Sequence, residues 1–372
     1  MALAAGQWSA ARAREWAKSL PVLAGCNYVP ASAVNQIEMW SEATWDPERI
    51  GRELGAARDV LGYNALRVYL HDAVWEAEGE AFLDRIDSFL AIADARGFST
   101  LLVFFDDCWH EPRPNPQGPP VPGVHNSGWA RSPGKAKLLD RDTWPALELY
   151  VRAVVRRFAG DPRVLGWDIY NEIGNTVMPQ GLSNANRDAA LTTLRSNQDQ
   201  LAAALDLAEA ACAWVRDEAA SHLPSQPLTI GVYQESDKMG VDSRVLPLCD
   251  VVSFHHYEPR ADLQRQVERL SALGRPLMCT EYLNRVSGAT VESHLSLLTE
   301  RRIPAFAWGL VDGKTQTKFS WTDRPGAGGE ITEPDPWFHD TLRADLSAYD
   351  PAEARLAKSL IQRQTAEEAP HG

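Results

Sequence analysis

The 372-residue sequence predicts a single (β/α)8 barrel. Three observations carry that prediction. Eight short apolar segments recur along the chain, helical patterns separate them, and the two longest insertions both follow ends of apolar segments. The segments are 22–27, 65–70, 100–105, 164–170, 228–232, 251–254, 277–281 and 305–310. Most are continuous apolar runs, as expected of parallel strands buried on both faces.

The helical patterns fall at 47–61, 80–96, 143–158, 186–222, 261–273 and 291–301, with a less regular connection at 243–248. Gly62, Gly97 and Gly274 close three of them in the position of a helix stop. Eight strand–helix repeats close into a barrel. A doubly wound open sheet is the rival. It would normally carry a Gly-rich phosphate turn after its first strand, where this chain reads Gly25-Cys26-Asn27-Tyr28. An amphipathic stretch, Trp8 to Leu20, precedes the first strand and is expected to cap one end of the fold. Residues 1–21 thus form an N-terminal helix, and 338–372 a C-terminal helical segment, of one domain spanning 1–372.

The bulk properties narrow the partners. A hydrophobic content of 44% supports a sizeable core, and the formal net charge is -13 with scattered Lys and Arg. No basic stripe suits nucleic acid and no polybasic segment suits an anionic membrane. The apolar start is too short and too soon charged for a secretory signal, and no stretch reaches bilayer-spanning length. Cys26, Cys108, Cys212, Cys249 and Cys279 are odd in number and widely spaced, so they read as reduced thiols of a cytoplasmic protein. Oligomeric state is not legible.

The two insertions are Asp106–Asp140, rich in Pro, Gly, Trp and His, and Ile173–Asn186, which is polar. Both follow strand C-termini, the barrel face where active sites assemble. The tryptophans of the first suggest a substrate-facing loop, although its part Pro112–Pro122 reads equally as a rigid surface excursion. The chemistry sits in two strand ends: Trp167-Asp168-Ile169-Tyr170-Asn171-Glu172 and Pro276-Leu277-Met278-Cys279-Thr280-Glu281-Tyr282. One strand ending in Glu usually means a cap or a surface charge. Two, with Asn beside the first, suit a reaction that needs two carboxyl groups facing one anomeric carbon.

At these residues the chain resembles clan A of the glycoside hydrolases, near the family five cellulases and mannanases. In that clan Asn-Glu closes the fourth strand and Glu the seventh, matching Glu172 and Glu281 here. Arg67 in Ala65-Leu66-Arg67-Val68-Tyr69 matches the second-strand arginine. His255 and Tyr257 match the His-x-Tyr after strand six, and Trp308 matches the eighth-strand tryptophan under the sugar. The resemblance covers about Val22 to Trp321. It departs at strand three, where Asp106-Asp107-Cys108-Trp109-His110 replaces the common Asp-x-His; which of Asp106, Asp107 or His110 meets sugar stays open.

The resemblance implies a retaining glycosidase with Glu172 as acid/base and Glu281 as nucleophile, needing no cofactor or metal and acting on a β-linked glycoside. Arg67 would keep Glu281 ionised, and Tyr257 would bond the nucleophile or a ring hydroxyl. Asn171 would meet the 2-hydroxyl and Trp308 the apolar sugar face. Weaker candidates are Glu38 and Trp40 in the loop after strand one, the segment His125-Asn126-Ser127-Gly128-Trp129, and the rim Lys314-Thr315-Gln316-Thr317; loop packing explains each about as well. His255 and His256 read as a metal pair only weakly, since neighbours on a strand end point opposite ways. A cytoplasmic enzyme would meet short oligosaccharides or small glycosides. The rivals are a transglycosylase with the same glutamates, an inactive carbohydrate-binding barrel and a metal-dependent barrel hydrolase. Gluco-, manno- and xylo-configured sugars all remain open.

Overall fold

The computed structural model describes residues 3–175, 197–220, 226–326 and 329–367. The eight expected strands are present: β1 (Ala24–Asn27), β2 (Ala65–Tyr69), β3 (Ser99–Asp106), β4 (Val164–Asn171), β5 (Leu228–Gly231), β6 (Val252–His255), β7 (Leu277–Tyr282) and β8 (Ala305–Ala307). All are parallel, in the order β5-β4-β3-β2-β1-β8-β7-β6. The seam between β5 and β6 carries the bridge Val232–Phe254, the bond His255 N–H to Val232 C=O at 2.9 Å, and a Thr229–Ser253 hydroxyl contact of 2.6 Å. That seam closes the barrel.

Nearly every strand residue is buried, because the barrel interior lies on one face and the helices on the other. Gly25 shows how close the strands approach: a Cβ there would stand 1.6 Å from the Ala65 carbonyl oxygen. The helix Ala10–Ser19, capped by Ser9, lies across the N-terminal mouth. Its Trp16, with Leu20, packs on a plug of Leu23, Ala65, Leu101, Leu165, Val251, Met278 and Phe306. The opposite mouth is therefore the one left for chemistry.

The outer helices follow the sequence pattern. They include Pro47–Ala56 continued to Leu61, Glu80–Asp94, Trp144–Phe158, Gln198–Ala219, Arg260–Ser271 and the turns from Val291 to Glu300. Pro47 at the first helical position and Asp46 as cap start the first of these. Gly62, Gly97 and Gly274 all sit at positive φ, as helix stops do. The strand-five connection is a short helix, Val241–Val245, followed by a tight turn at Leu246–Leu248. Of the expected helix 186–222, residues 186–196 and 221–222 lie outside the described residues, as does most of the Ile173–Asn186 loop. The C-terminal helix, Pro351–Glu367, begins later than expected, after irregular chain from 338, and residues 368–372 lie outside the described residues. No helix among the described residues is long and apolar enough to cross a membrane.

Candidate active site

The site is built around Arg67. It lies mid-strand on β2, facing the barrel interior, with no exposed surface. A guanidinium there is tolerable only if its donors are used, and they are. Nε reaches Asp168 Oδ2 at 2.8 Å, and Nη1 reaches Asn27 Oδ1 at 2.9 Å, Tyr69 Oη at 2.6 Å and Glu281 Oε1 at 2.9 Å. Nη2 donates to Asn171 Oδ1 at 2.8 Å. Gly231 makes room for this: a Cβ on it would meet His255 Nε2 at 3.0 Å and Arg67 Nη2 at 3.4 Å.

Glu281 ends β7 and is held from three sides. Arg67 and the Tyr69 hydroxyl (3.0 Å) both donate to Oε1, and the Tyr257 hydroxyl donates to Oε2 at 2.6 Å. Glu172 follows β4 in a left-handed backbone conformation, φ 46°, which L residues adopt at a cost. That turn aims its carboxyl into the mouth, with its own N–H bonded to the Gly231 carbonyl at 3.1 Å. Its oxygens meet His255 Nδ1 at 2.5 Å, the Cys108 thiol at 3.4 Å and the Asn175 amide. One oxygen of each glutamate and His255 Nδ1 all lie within 4.8 Å of one another.

The two carboxyls therefore stand in unlike surroundings. Burial pushes both above the ordinary carboxylate range. At Glu172 the Asn175 amide and the Cys108 thiol offset this. At Glu281 His255, Arg67 and the Tyr257 hydroxyl offset it, while the charge of Glu172 adds to it. Of the two glutamates the guanidinium bonds only Glu281, which favours the ionised form there more than at Glu172. Burial also pushes His255 down to about 4, so its ring is neutral at neutral pH. The Glu172–His255–Glu281 triangle has the donor types of a cation site. Arg67 already places a positive charge on one of its carboxylates, and His255 Nδ1 is tied to Glu172.

The structure brings Glu172, Glu281, Arg67, Asn171, His255, Tyr257 and Trp308 to one mouth. Asn171 has both ends engaged, its oxygen by Arg67 and its NH2 by Asp106 (2.8 Å) and Cys108 (3.4 Å). Trp308 is 8% exposed and stands edge-on to Tyr69 and Trp129.

Three candidates are corrected. Trp40 is a core residue: it is fully buried among Trp45, Phe82 and Phe89, and its Nε1 donates to the Tyr69 carbonyl at 2.7 Å. Glu38 is engaged by the chain around it, accepting from Val34 N at 2.6 Å and pairing at 2.8 Å with Lys314 from the segment after β8. Asp106 turns inward, accepting from Trp129 Nε1 at 2.6 Å, Asn171 and the Cys108 N–H; burial pushes its carboxyl up to about 6. Asp107 is likewise occupied by the Tyr170 hydroxyl and Gly174 N–H. The residue just after β3 that reaches Glu172 is Cys108.

Sequence reading missed Tyr69, Asp168 and Cys108. Tyr69 is two residues from Arg67 and so shares its strand face. Asp168, an acid inside an apolar strand, calls for a buried cation. Nothing in the sequence marks Cys108.

No protein-family model and no curated protein sequence matches the chain. Solved structures do resemble it. The exo-beta-1,4-mannosidase Op5Man5 from Opitutaceae bacterium strain TAV5 is 16% identical with a TM-score of 0.63 over 98% of this chain. The chain spans only 63% of that protein's length. A GH5_18 protein from Streptomyces cattleya, in complex with GlcNAc, is 14% identical with a TM-score of 0.57, covering 94% of this chain and 82% of its own. The beta-mannanase of the blue mussel Mytilus edulis is 12% identical, TM-score 0.53, covering 95% and 93%. At these identities the likeness shows the fold alone: this chain shares its (β/α)8 barrel with these proteins.

Proposed function

We propose that the chain is a retaining glycoside hydrolase of the clan A, family five kind. The observation that carries this is the unlike pair of carboxyls from the ends of β4 and β7, with oxygens within 4.8 Å of each other. Retaining enzymes hold their carboxyl groups about 5–5.5 Å apart and inverting ones roughly 6.5–9.5 Å, to admit a water. The short gap supports the retaining arrangement.

In this reading Glu281 attacks the anomeric carbon while the bond to the leaving oxygen breaks and takes the proton of Glu172. A covalent glycosyl–Glu281 ester results. Water then attacks the same carbon, giving its proton to Glu172, and Glu281 departs as carboxylate. Arg67, Tyr69 and Tyr257 stabilise that carboxylate, and Trp308 offers a face to the sugar's C–H side. No step calls for a metal or cofactor. The substrate is a small β-glycoside or short oligosaccharide cut from its end. The names of the structural neighbours put β-mannosides first to be tried, ahead of β-glucosides.

The test is a screen of aryl β-glycosides and short oligosaccharides with Glu281→Ala as the blank, and product analysis with and without a sugar acceptor. A 2-deoxy-2-fluoro glycoside of the active configuration should label Glu281. Labelling at another carboxyl overturns the assignment, and binding without turnover by any substrate would make the barrel a carbohydrate binder.

A further inference from the structure

One group of buried side chains beside the two glutamates is used by nothing in this chemistry. His125, from the Trp-rich loop after β3, and His339, from the chain beyond β8, pack ring to ring with centroids 5.3 Å apart. They sit in one aromatic wall. Trp109 lies 5.4 Å from His125, and Tyr257 and Trp321 lie 5.5 and 5.9 Å from His339. One end of that wall, Trp109, adjoins Cys108, which donates to Glu172. The other, Tyr257, donates to Glu281.

Each imidazole is fixed in the same way. His125 Nδ1 is 2.9 Å from the Phe319 carbonyl oxygen, and His339 Nδ1 bonds the Leu283 carbonyl oxygen. A carbonyl only accepts, so Nδ1 carries the hydrogen in both rings. Burial holds His125 down at about 4 and His339 well below its ordinary value, so neither ring takes a second proton at neutral pH. Nε2 is then a bare acceptor in each. It faces away from the carbonyl that anchors its ring, and neither Nε2 has a hydrogen-bond partner although the residues are 1% and 0% exposed. Buried polar atoms of this kind are ordinarily paired. Two such acceptors leave room for donors from outside the chain, and O–H groups are the ones a sugar brings.

We propose that His125 and His339 are specificity-determining residues, their Nε2 atoms accepting hydrogen bonds from hydroxyls of the sugar that Glu172 and Glu281 act on. The inference rests on the glycosidase reading above and adds to it the contacts that select the substrate. Both residues come from loops outside the strand-end motifs, and the partly buried Trp109, Trp321 and Tyr257 around them supply the apolar faces a sugar also needs.

The experiment uses the full chain and the 4-nitrophenyl β-mannoside or β-glucoside that it cleaves fastest, together with the monodeoxy versions of that glycoside. With the wild type, one or two deoxy positions should lower kcat/KM by about 10- to 100-fold, the loss expected when a buried acceptor is left unpaired. His125→Phe and His339→Phe keep a ring and lose the acceptor. Each should lose a similar factor on the parent glycoside, chiefly in KM, and lose nothing further on the one deoxy analogue that lacks its hydroxyl. Equal losses on every analogue would mean that the rings only pack, and would overturn the proposal. So would unchanged kinetics in both variants, or zinc inhibition of the wild type that disappears in both, which would make the pair a metal site. The wild-type deoxy series needs no variant to fold. Failure of the wild type to cleave any β-glycoside would instead fail the glycosidase reading itself.

Discussion

Replacing Tyr257 by Phe removes one hydroxyl and leaves the ring against His339 and Trp321. The lost bond is the 2.6 Å donation to Glu281 Oε2. A hydrogen bond to a charged group is worth about 1.5–3 kcal/mol, and about 1.4 kcal/mol is tenfold in rate. The two steps of the proposed mechanism feel this differently. In the first, the bond stabilises the attacking carboxylate; in the second, it stabilises the departing one. The second step should therefore slow by roughly 10- to 100-fold, and the covalent intermediate should accumulate. Rapid mixing with an aryl glycoside should show a burst of phenol release followed by a slow steady state. The hydroxyl favours the ionised form of Glu281, so its removal raises that carboxyl's pKa. The acidic limb of kcat/KM, where Glu281 must be ionised, should move to higher pH, while the alkaline limb, set by Glu172 losing its proton, should stay. Unchanged kcat with an unmoved acidic limb would refute the role given to Tyr257.

Glu172→Gln should lower kcat by about 100- to 10,000-fold on natural glycosides and far less on substrates with a good phenolate leaving group, whereas Glu281→Gln should be inactive on both. Equal losses on both substrates for Glu172→Gln would remove it from the acid's place. Exhaustive chelation should leave activity intact; loss on chelation with recovery on adding zinc would put a metal on Glu172, His255 and Glu281. Trp40→Ala should cost about 3–5 kcal/mol of stability by emptying a buried site, read from denaturant melts, while the folded fraction keeps its KM. A raised KM with stability intact would return Trp40 to the substrate pocket.

The barrel was legible because its strands are short, apolar and buried on both faces, a pattern that needs no knowledge of contacts. Glu172 and Glu281 could be brought together from the sequence because strand ends of a barrel converge, whereas Arg67, mid-strand on β2, came from the resemblance alone. Loop residues were not. Trp40 and Glu38 follow β1 in sequence just as a pocket residue would, and only packing decides that the indole turns under Tyr69 and the carboxylate onto Lys314. Asp106 misled for a related reason. A strand-end acid can face the substrate or brace its neighbours, and the choice depends on Trp129, 23 positions away in an irregular loop.

The proton that the mechanism needs can be located by counting charges at the mouth. Asp106, Asp168, Glu172 and Glu281 are all buried there, and Arg67 is the one cation that the described hydrogen bonds bring to them. Asp168 and Glu281 share it at 2.8 and 2.9 Å. Two ionised carboxylates with oxygens within 4.8 Å would repel by at least ~3.5 kcal/mol at an effective dielectric of about 20. Of the two glutamates, Glu172, whose partners are an amide, a thiol and a neutral imidazole, is therefore the one expected to keep its proton. In the proposed mechanism, forming the glycosyl ester deletes the charge on Glu281, so the repulsion ends and Glu172 becomes free to ionise, which is what the second step requires of a base. Glu281→Gln imitates that state. Glu172 in this variant should titrate at lower pH than in the wild type, as read from the carboxyl resonance of 13C-labelled glutamate assigned by loss of the signal in Glu172→Gln. An unmoved or higher titration point would mean that Glu281 does not hold the proton on Glu172, and that a partner other than the nucleophile sets the acid.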